Sequence, residues 1–107
     1  PCNIDNANLM RIEYLTNIFE NVGYSDHVTG INASVYAMKY PLNYIEKHFT
    51  LDHSLPGRDN KFAILPDELK ALSAHIDAHK LASADLGVNF QSIEDSSRND
   101  YRGRFNN

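Results

Sequence analysis

Two short β-favouring stretches separated by a helical pattern limit most strongly what this sequence can build. The first is Val22-Gly23-Tyr24-Ser25, running into Asp26-His27. The second covers residues 43–50, where Tyr44, Ile45 and Phe49 supply side chains suited to a pleated surface. Between them, Thr29 and Gly30 open a helix carried by Ile31, Val35, Tyr36 and Met38. It must stop before Pro41, because the residue preceding a proline is pushed out of helical geometry. Strands alternating with helices imply βα units and parallel pairing. A parallel sheet needs several strands and cover on both faces, and two strands cannot form one alone. The chain therefore reads as part of something larger, or as a protomer that finishes its sheet by association, and a homo-oligomer is expected.

The remaining elements fit the same plan. Asp5 or Asn6 can cap a first helix in which Leu9, Ile12, Leu15 and Ile18 form one apolar stripe up to about Phe19, with Asn21 closing it. Alternation along 43–50 places Tyr44, Glu46 and His48 on one face and Ile45, Lys47 and Phe49 on the other. A loop rich in Pro, Gly, Asp and Asn covers about 51–65. Pro66 then sits in the first turn of a helix through Leu69, Leu72, Ile76 and Leu81, with Asp67 and Glu68 favourable to its dipole. From about Asp85 the pattern decays into a polar tail ending in Tyr101-Arg102-Gly103-Arg104.

Composition removes several function classes. With 42% hydrophobic and 22% charged residues in 107, the chain can bury a modest core and is not disordered throughout. A net charge of −4 without a basic stripe argues against a nucleic-acid partner. No apolar run approaches the roughly 20 residues of a membrane span, and no signal-peptide pattern opens the chain, so no membrane partner is expected. Cys2 is the single cysteine, which excludes a disulfide framework and suits a reducing cytoplasm. The sequon Asn32-Ala33-Ser34 is read as chance, and a start at Pro1 is read as a fragment or a processed product.

Chemistry concentrates on two histidines at corresponding places. His27 and His48 each stand at the C-terminal end of a predicted strand, the end where α/β barrels assemble active sites. Imidazole is the commonest metal ligand, and adjacent strands bring two within reach of one ion. The residues alone leave two readings open: a metal pair, or half-buried histidines bonded to backbone carbonyls. On its strand Glu46 shares the face of His48 and can orient a ligand or pair with a lysine, whereas Lys47 reads as a surface or helix-contacting residue. Asp26 reads as a loop-fixing acceptor of backbone N–H groups. His75 and His79 lie four apart on one helix face without the intervening Glu of a zincin, and read as solvated. Tyr24 and Tyr44 read as core or wall residues, and no paired histidine near Cys2 suggests a nucleophile.

The blocks Gly23-Tyr24-Ser25-Asp26-His27 with Gly30, Ile45-Glu46-Lys47-His48-Phe49-Thr50-Leu51-Asp52, Pro56-Gly57-Arg58-Asp59 and Pro66-Asp67-Glu68-Leu69-Lys70-Ala71-Leu72 together resemble the N-acetylneuraminate (sialic acid) synthase family over roughly residues 1–81. The resemblance implies that His27 and His48 ligate a divalent metal, Mn2+ or Mg2+, that Ser25 belongs to the substrate site, and that Asp59 is a carboxylate near the sugar. The implied reaction condenses phosphoenolpyruvate with an N-acylmannosamine-type sugar to a nonulosonic acid. The implied fold is a (β/α)8 barrel, of which residues 1–84 supply helix six through helix eight with strands seven and eight. Residues 85–107 follow as a tail, without the family's antifreeze-like domain.

Departures from the pattern are local. The family's His-Thr step is His27-Val28, and its Gly-Pro-Asp-His loop reads Gly57-Arg58-Asp59-Asn60. The strands that bind phosphoenolpyruvate in the family are not among these residues, so the chain alone is expected to be inactive. Two rival readings remain: a non-catalytic partial barrel that assembles with another chain, and a metal-dependent hydrolase, which lacks a third protein ligand.

Overall fold

The computed structural model describes residues 1–89 and 91–94. Its elements follow the expected order: α1 (Met10–Thr16), β1 (Gly23–Ser25), α2 (Asn32–Ala37), β2 (Tyr44–Glu46) and α3 (Pro66–Ala82), with 3-10 turns at Ile4–Asn6, Asn60–Phe62 and Ser92–Glu94. The strands pair in parallel, Gly23 opposite Tyr44, Tyr24 opposite Ile45 and Ser25 opposite Glu46. The class is thus α/β, with α2 as the crossover that parallel strands require. Two isolated parallel bridges widen the layer, Cys2 with Val28 beside β1 and Phe49 with Ile64 beside β2.

β2 is shorter than the stretch 43–50 promises, for a reason visible in its hydrogen bonds. Through Glu46 its backbone serves β1, the Glu46 carbonyl accepting Asp26 N–H at 2.9 Å. Beyond that point it turns to Ile64, whose N–H donates to the His48 carbonyl at 2.8 Å and whose carbonyl accepts Thr50 N–H at 2.9 Å. Gly23 permits the register, because a Cβ there would overlap the Tyr44 ring lying across it.

The first helix also differs from the expected span. Asn8 takes a left-handed φ of 48°, which an L-residue tolerates singly but a helix cannot continue through. Asp5 and Asn6 therefore fall in the preceding 3-10 turn, and α1 starts after Leu9 without a side-chain cap. Ile12 is buried with Val22 and Ala37 in the small core, and Leu9, Leu15, Tyr24, Tyr40 and Leu42 pack around them. Ile18, expected on the inner stripe, stays 55% exposed beyond the last turn, as does Phe19 after it at 57%.

Helix α2 corrects a second expectation. Its buried side chains are Ala33, Ser34 and Ala37, while Tyr36 faces solvent. Small residues let the crossover lie close to the strands. Gly30, at φ 81°, lets the chain turn from β1 toward α2. α3 forms as expected, with Pro66 in its first turn and Glu68 reaching back to accept Leu65 N–H at 3.0 Å. It lies against α2 through a face on which Leu72 is buried.

Much apolar surface stays uncovered. Met10, Tyr14, Leu51, Leu69 and Leu81 are all exposed. The radius of gyration is 19.6 Å, against about 13 Å for a compact chain of this size. Among the described residues, no helix is long and apolar enough to cross a membrane. Of the tail expected from residue 85, residue 90 and residues 95–107, including Arg102-Gly103-Arg104, lie outside the described residues.

Candidate metal and substrate site

The two faces of the strand pair differ in kind. Ser25, His27, Tyr44, Glu46 and His48 are exposed on one of them. Asp26 and Val28 are buried on the other, with Tyr24, Ile45 and Lys47 half-buried beside them. Alternation along β2 anticipated this division for Tyr44, Glu46, His48, Ile45 and Lys47. Helix α2 lies on the buried face, where Ser34 Oγ reaches the Asp26 carboxylate.

On the open face, side chains meet their counterparts across the strands. The Ser25 hydroxyl donates to Glu46 Oε1 at 3.1 Å. Two residues further along each segment, the rings of His27 and His48 stand 5.5 Å apart between centroids, tilted by 57°. Both histidines are pinned through their main chains, since the His27 carbonyl accepts Cys2 N–H at 2.9 Å and the His48 carbonyl accepts Ile64 N–H at 2.8 Å. Neither imidazole therefore depends on its ring nitrogens for its place. His48 Nε2 lies 3.9 Å from Asp59 Oδ2, too far for a hydrogen bond and within reach of a shared ligand. A cleft of about 330 Å³ runs beside these groups, lined by Asp26, His27, Glu46, Lys47, His48 and Phe49.

Of the four residues singled out from the sequence, the structure gathers His27, His48 and Asp59 into one neighbourhood and places Ser25 beside Glu46, next along the same face. Glu46 accepts a hydroxyl, and among the described residues no Lys or Arg pairs with it. His79 approaches the Ser83 hydroxyl at 3.4 Å, and its partner His75 is exposed, in keeping with a solvated helix face.

The reverse face holds a cluster that the sequence reading missed. Asp26 is 2% exposed and accepts Val28 N–H at 2.8 Å, Ser34 Oγ at 2.5 Å and Lys47 Nζ at 3.1 Å. Lys47, read as a surface or helix-contacting residue, lies on the helix side as a buried ammonium that also donates to the Val28 carbonyl at 2.7 Å. Its place beside Ile45 on the helix-covered face was the available signal. Asp26 does bond a backbone N–H as expected, and it does more, joining β1, α2 and the end of β2. The Tyr24 hydroxyl also donates to Asp26 Oδ1, at 3.4 Å. Burial, then the adjacent carboxylate charge, push the Tyr24 phenol up to about 12.

Asp59 owes its position to the loop before α3. Asn60, where the family pattern has His, donates its amide to the carbonyls of Asp52 and Leu55 at 2.6 and 3.0 Å. His53 Nε2 meets the Ala63 carbonyl at 2.9 Å, closing the loop at its far side. The Asp52 carboxyl is held below its usual range by the Ser54 backbone N–H and then by the Ser54 hydroxyl.

The donor set, two imidazoles with carboxylates nearby, is chemically suited to a divalent cation. Two exposed imidazoles are close enough to share one ion, and carboxylates of Glu46 and Asp59 lie on the same side. Among the described residues no group of three or more His, Cys, Asp or Glu side chains converges to hold an ion. Two protein ligands with open positions suit an ion that also binds water or substrate, and they do not make the closed shell of a structural zinc.

Comparison with known proteins places the chain in a family. The profile of the NeuB family matches residues 1–88. An N,N'-diacetyllegionaminic acid synthase from Campylobacter jejuni is 42% identical over 77 residues, which are 71% of this chain and 23% of that protein. An N-acetylneuraminate-9-phosphate synthase from Drosophila melanogaster is 38% identical over 88 residues, covering 80% of this chain and 24% of that protein. The crystal structure of an N-acetylneuraminic acid (sialic acid) synthetase from Leptospira borgpetersenii, in complex with citrate, superposes with a TM-score of 0.78 at 31% identity, over 99% of this chain and 37% of that one. The chain spans about a quarter of the length of the curated relatives it matches.

Proposed function

The chain belongs to the NeuB family of sugar-acid synthases, and from that membership we infer that it supplies the metal-binding end of a nonulosonic acid synthase. The parent fold in this reading is a (β/α)8 barrel, with β1 and β2 as its last two strands. The reaction is condensation of phosphoenolpyruvate with the open-chain aldehyde of an N-acylmannosamine-type sugar, with loss of phosphate. One observation carries the reading: His27 and His48 stand 5.5 Å apart at the C-terminal ends of adjoining parallel strands, the end where barrel active sites form.

The residues divide the work. His27 and His48 hold a divalent ion, Mn2+ or Mg2+. Bound there, it supplies Lewis acidity toward the sugar aldehyde. Ser25 presents a hydroxyl already oriented by Glu46, suited to a polar group of the substrate. Asp59, on a loop pinned by Asn60, accepts hydrogen bonds from the sugar and fixes its orientation against the enol carbon. The strand pair fixes Ser25 directly, and main-chain bonds from Cys2 and Ile64 hold His27 and His48 just beyond it, which suits a bimolecular condensation.

The test is Mn2+ titration followed by electron paramagnetic resonance, beside His27→Ala and His48→Ala. Binding by the parent chain and its loss in both variants is the expected result; equal binding in all three would sink the assignment. Turnover of phosphoenolpyruvate and N-acetylmannosamine, read as phosphate release, is expected to require the remaining barrel strands. A second reading, a non-catalytic module that assembles with another chain, is favoured by the exposed apolar side chains Met10, Tyr14, Ile18 and Phe19 on and just after α1. A strictly monomeric, cooperatively folding species by light scattering would count against it.

A further inference from the structure

The buried pair Asp26–Lys47 lies directly behind the two histidines, on the opposite face of the same two chain segments. Three contacts make it a clamp across the gap between them. Asp26 holds Val28 N–H, the amide that follows His27 in the chain, at 2.8 Å. Lys47, the residue before His48, holds the Val28 carbonyl at 2.7 Å and the Asp26 carboxylate at 3.1 Å. Ser34 ties the same carboxylate to α2 at 2.5 Å. These bonds sit where β2 has left the regular ladder, since the His48 carbonyl serves Ile64 rather than β1. Backbone pairing therefore stops setting the distance between the segments one step before the histidines, and the side-chain pair continues it.

We propose that Asp26 and Lys47 are positioning residues that set the separation of His27 and His48, and through it the affinity of that pair for a divalent cation. The inference rests on the metal reading above only for its second half. Neither residue touches the cation: Asp26 and Lys47 point into the helix layer, with side chains 0% and 5% exposed. Partners bonded directly to a metal ligand are worth about 10–100-fold in metal affinity, and a clamp that acts on the ligands through the backbone is expected at the lower end, about tenfold.

The experiment compares the parent chain with Lys47→Met, Asp26→Asn, the Asp26→Asn/Lys47→Met double variant and Leu72→Ala, the last a core change in α3 away from the histidines. Three quantities are read: stability in urea, the NMR magnetisation contact between the His27 and His48 rings without metal, and Mn2+ affinity by electron paramagnetic resonance. Each single variant should lose the ring contact and about tenfold in affinity. The double variant, which leaves no buried unpaired charge, should recover most of the stability without recovering either. Leu72→Ala should lose stability yet keep both. A double variant that regains ring contact and affinity along with stability overturns the proposal, as does a parent chain with no ring contact. A parent chain that shows the ring contact but binds no Mn2+ defeats the metal reading instead, and leaves the clamp to be decided by the contact alone.

Discussion

The two faces of the strand pair are built from the same two segments and answer to opposite requirements. On the helix-covered face, every polar group of Asp26, Lys47 and Ser34 has a protein partner. On the open face, Ser25 has one hydroxyl contact, the two imidazoles lean on one another without a hydrogen bond, and the His48–Asp59 approach is long and half-exposed. One side is satisfied internally and the other keeps spare bonding capacity. That difference separates residues that hold the fold from residues free to take a ligand, although they alternate one by one along each segment.

Substitutions should break the comparison on the covered face first. Asp26→Ala strands a buried ammonium and removes the acceptor of Val28 N–H and Ser34 Oγ, so a loss of about 3–5 kcal/mol is expected in urea unfolding. For a chain with so small a core, that approaches the whole of its stability. Gly23→Ala should cost less, about 1–3 kcal/mol, because its new methyl must displace the Tyr44 ring. The ring is 61% exposed and can swing outward. Adding Tyr44→Ala should recover much of that loss, and a double variant no more stable than Gly23→Ala would mean that the strain lies in the backbone.

How much of this was legible beforehand depended on the range of the interaction. Alternation along β2 sorted Glu46 and His48 from Ile45 and Lys47, because strand geometry has a period of two whatever surrounds it. Proline marked the start of α3 for an equally local reason. The Asp26–Lys47 bond was not legible, since it needs the register between two strands, which no pattern within either one states. The end of the β2 ladder at Glu46 was hidden for the same reason: it follows from Ile64 claiming the His48 carbonyl. The shortened α1 turns on the backbone of Asn8, a residue that tolerates left-handed geometry without announcing it. The site histidines stood out through the motif blocks around them, and their mutual distance came only from the structure.

A smaller effect sharpens the contrast through pH. Tyr24 lies on the covered face with its phenol pushed up to about 12, against 10.0 for the free group. Its folded-state value is raised, so its contribution is fully present below pH 10. Between pH 10 and about 12 the unfolded chain sheds the proton while the folded chain retains it, and stability falls as pH rises through that window. Tyr24→Phe should remove this component, measured as urea midpoints across the alkaline range beside the phenolate absorbance of the parent. An unchanged alkaline slope in Tyr24→Phe would show that the phenol is not held protonated by its surroundings.

The smallest effects on stability belong to the residues with the largest expected effect on function. His27 and His48 are exposed and their rings donate to nothing in the fold, while the bonds that pin them use carbonyls that any residue would offer. Replacing either with Ala should therefore move urea stability by no more than about 0.5 kcal/mol, the range of surface substitutions, while removing Mn2+ binding. Both readouts come from the same two variants, and their dissociation is the point. A loss of 2 kcal/mol or more (the order seen for core side chains) in His27→Ala would place that ring among the structural histidines, whose reading the sequence left open. Stability retained with metal binding lost would assign the open face to ligand capture and leave the covered face, a single peptide step away, as the part that keeps it in shape.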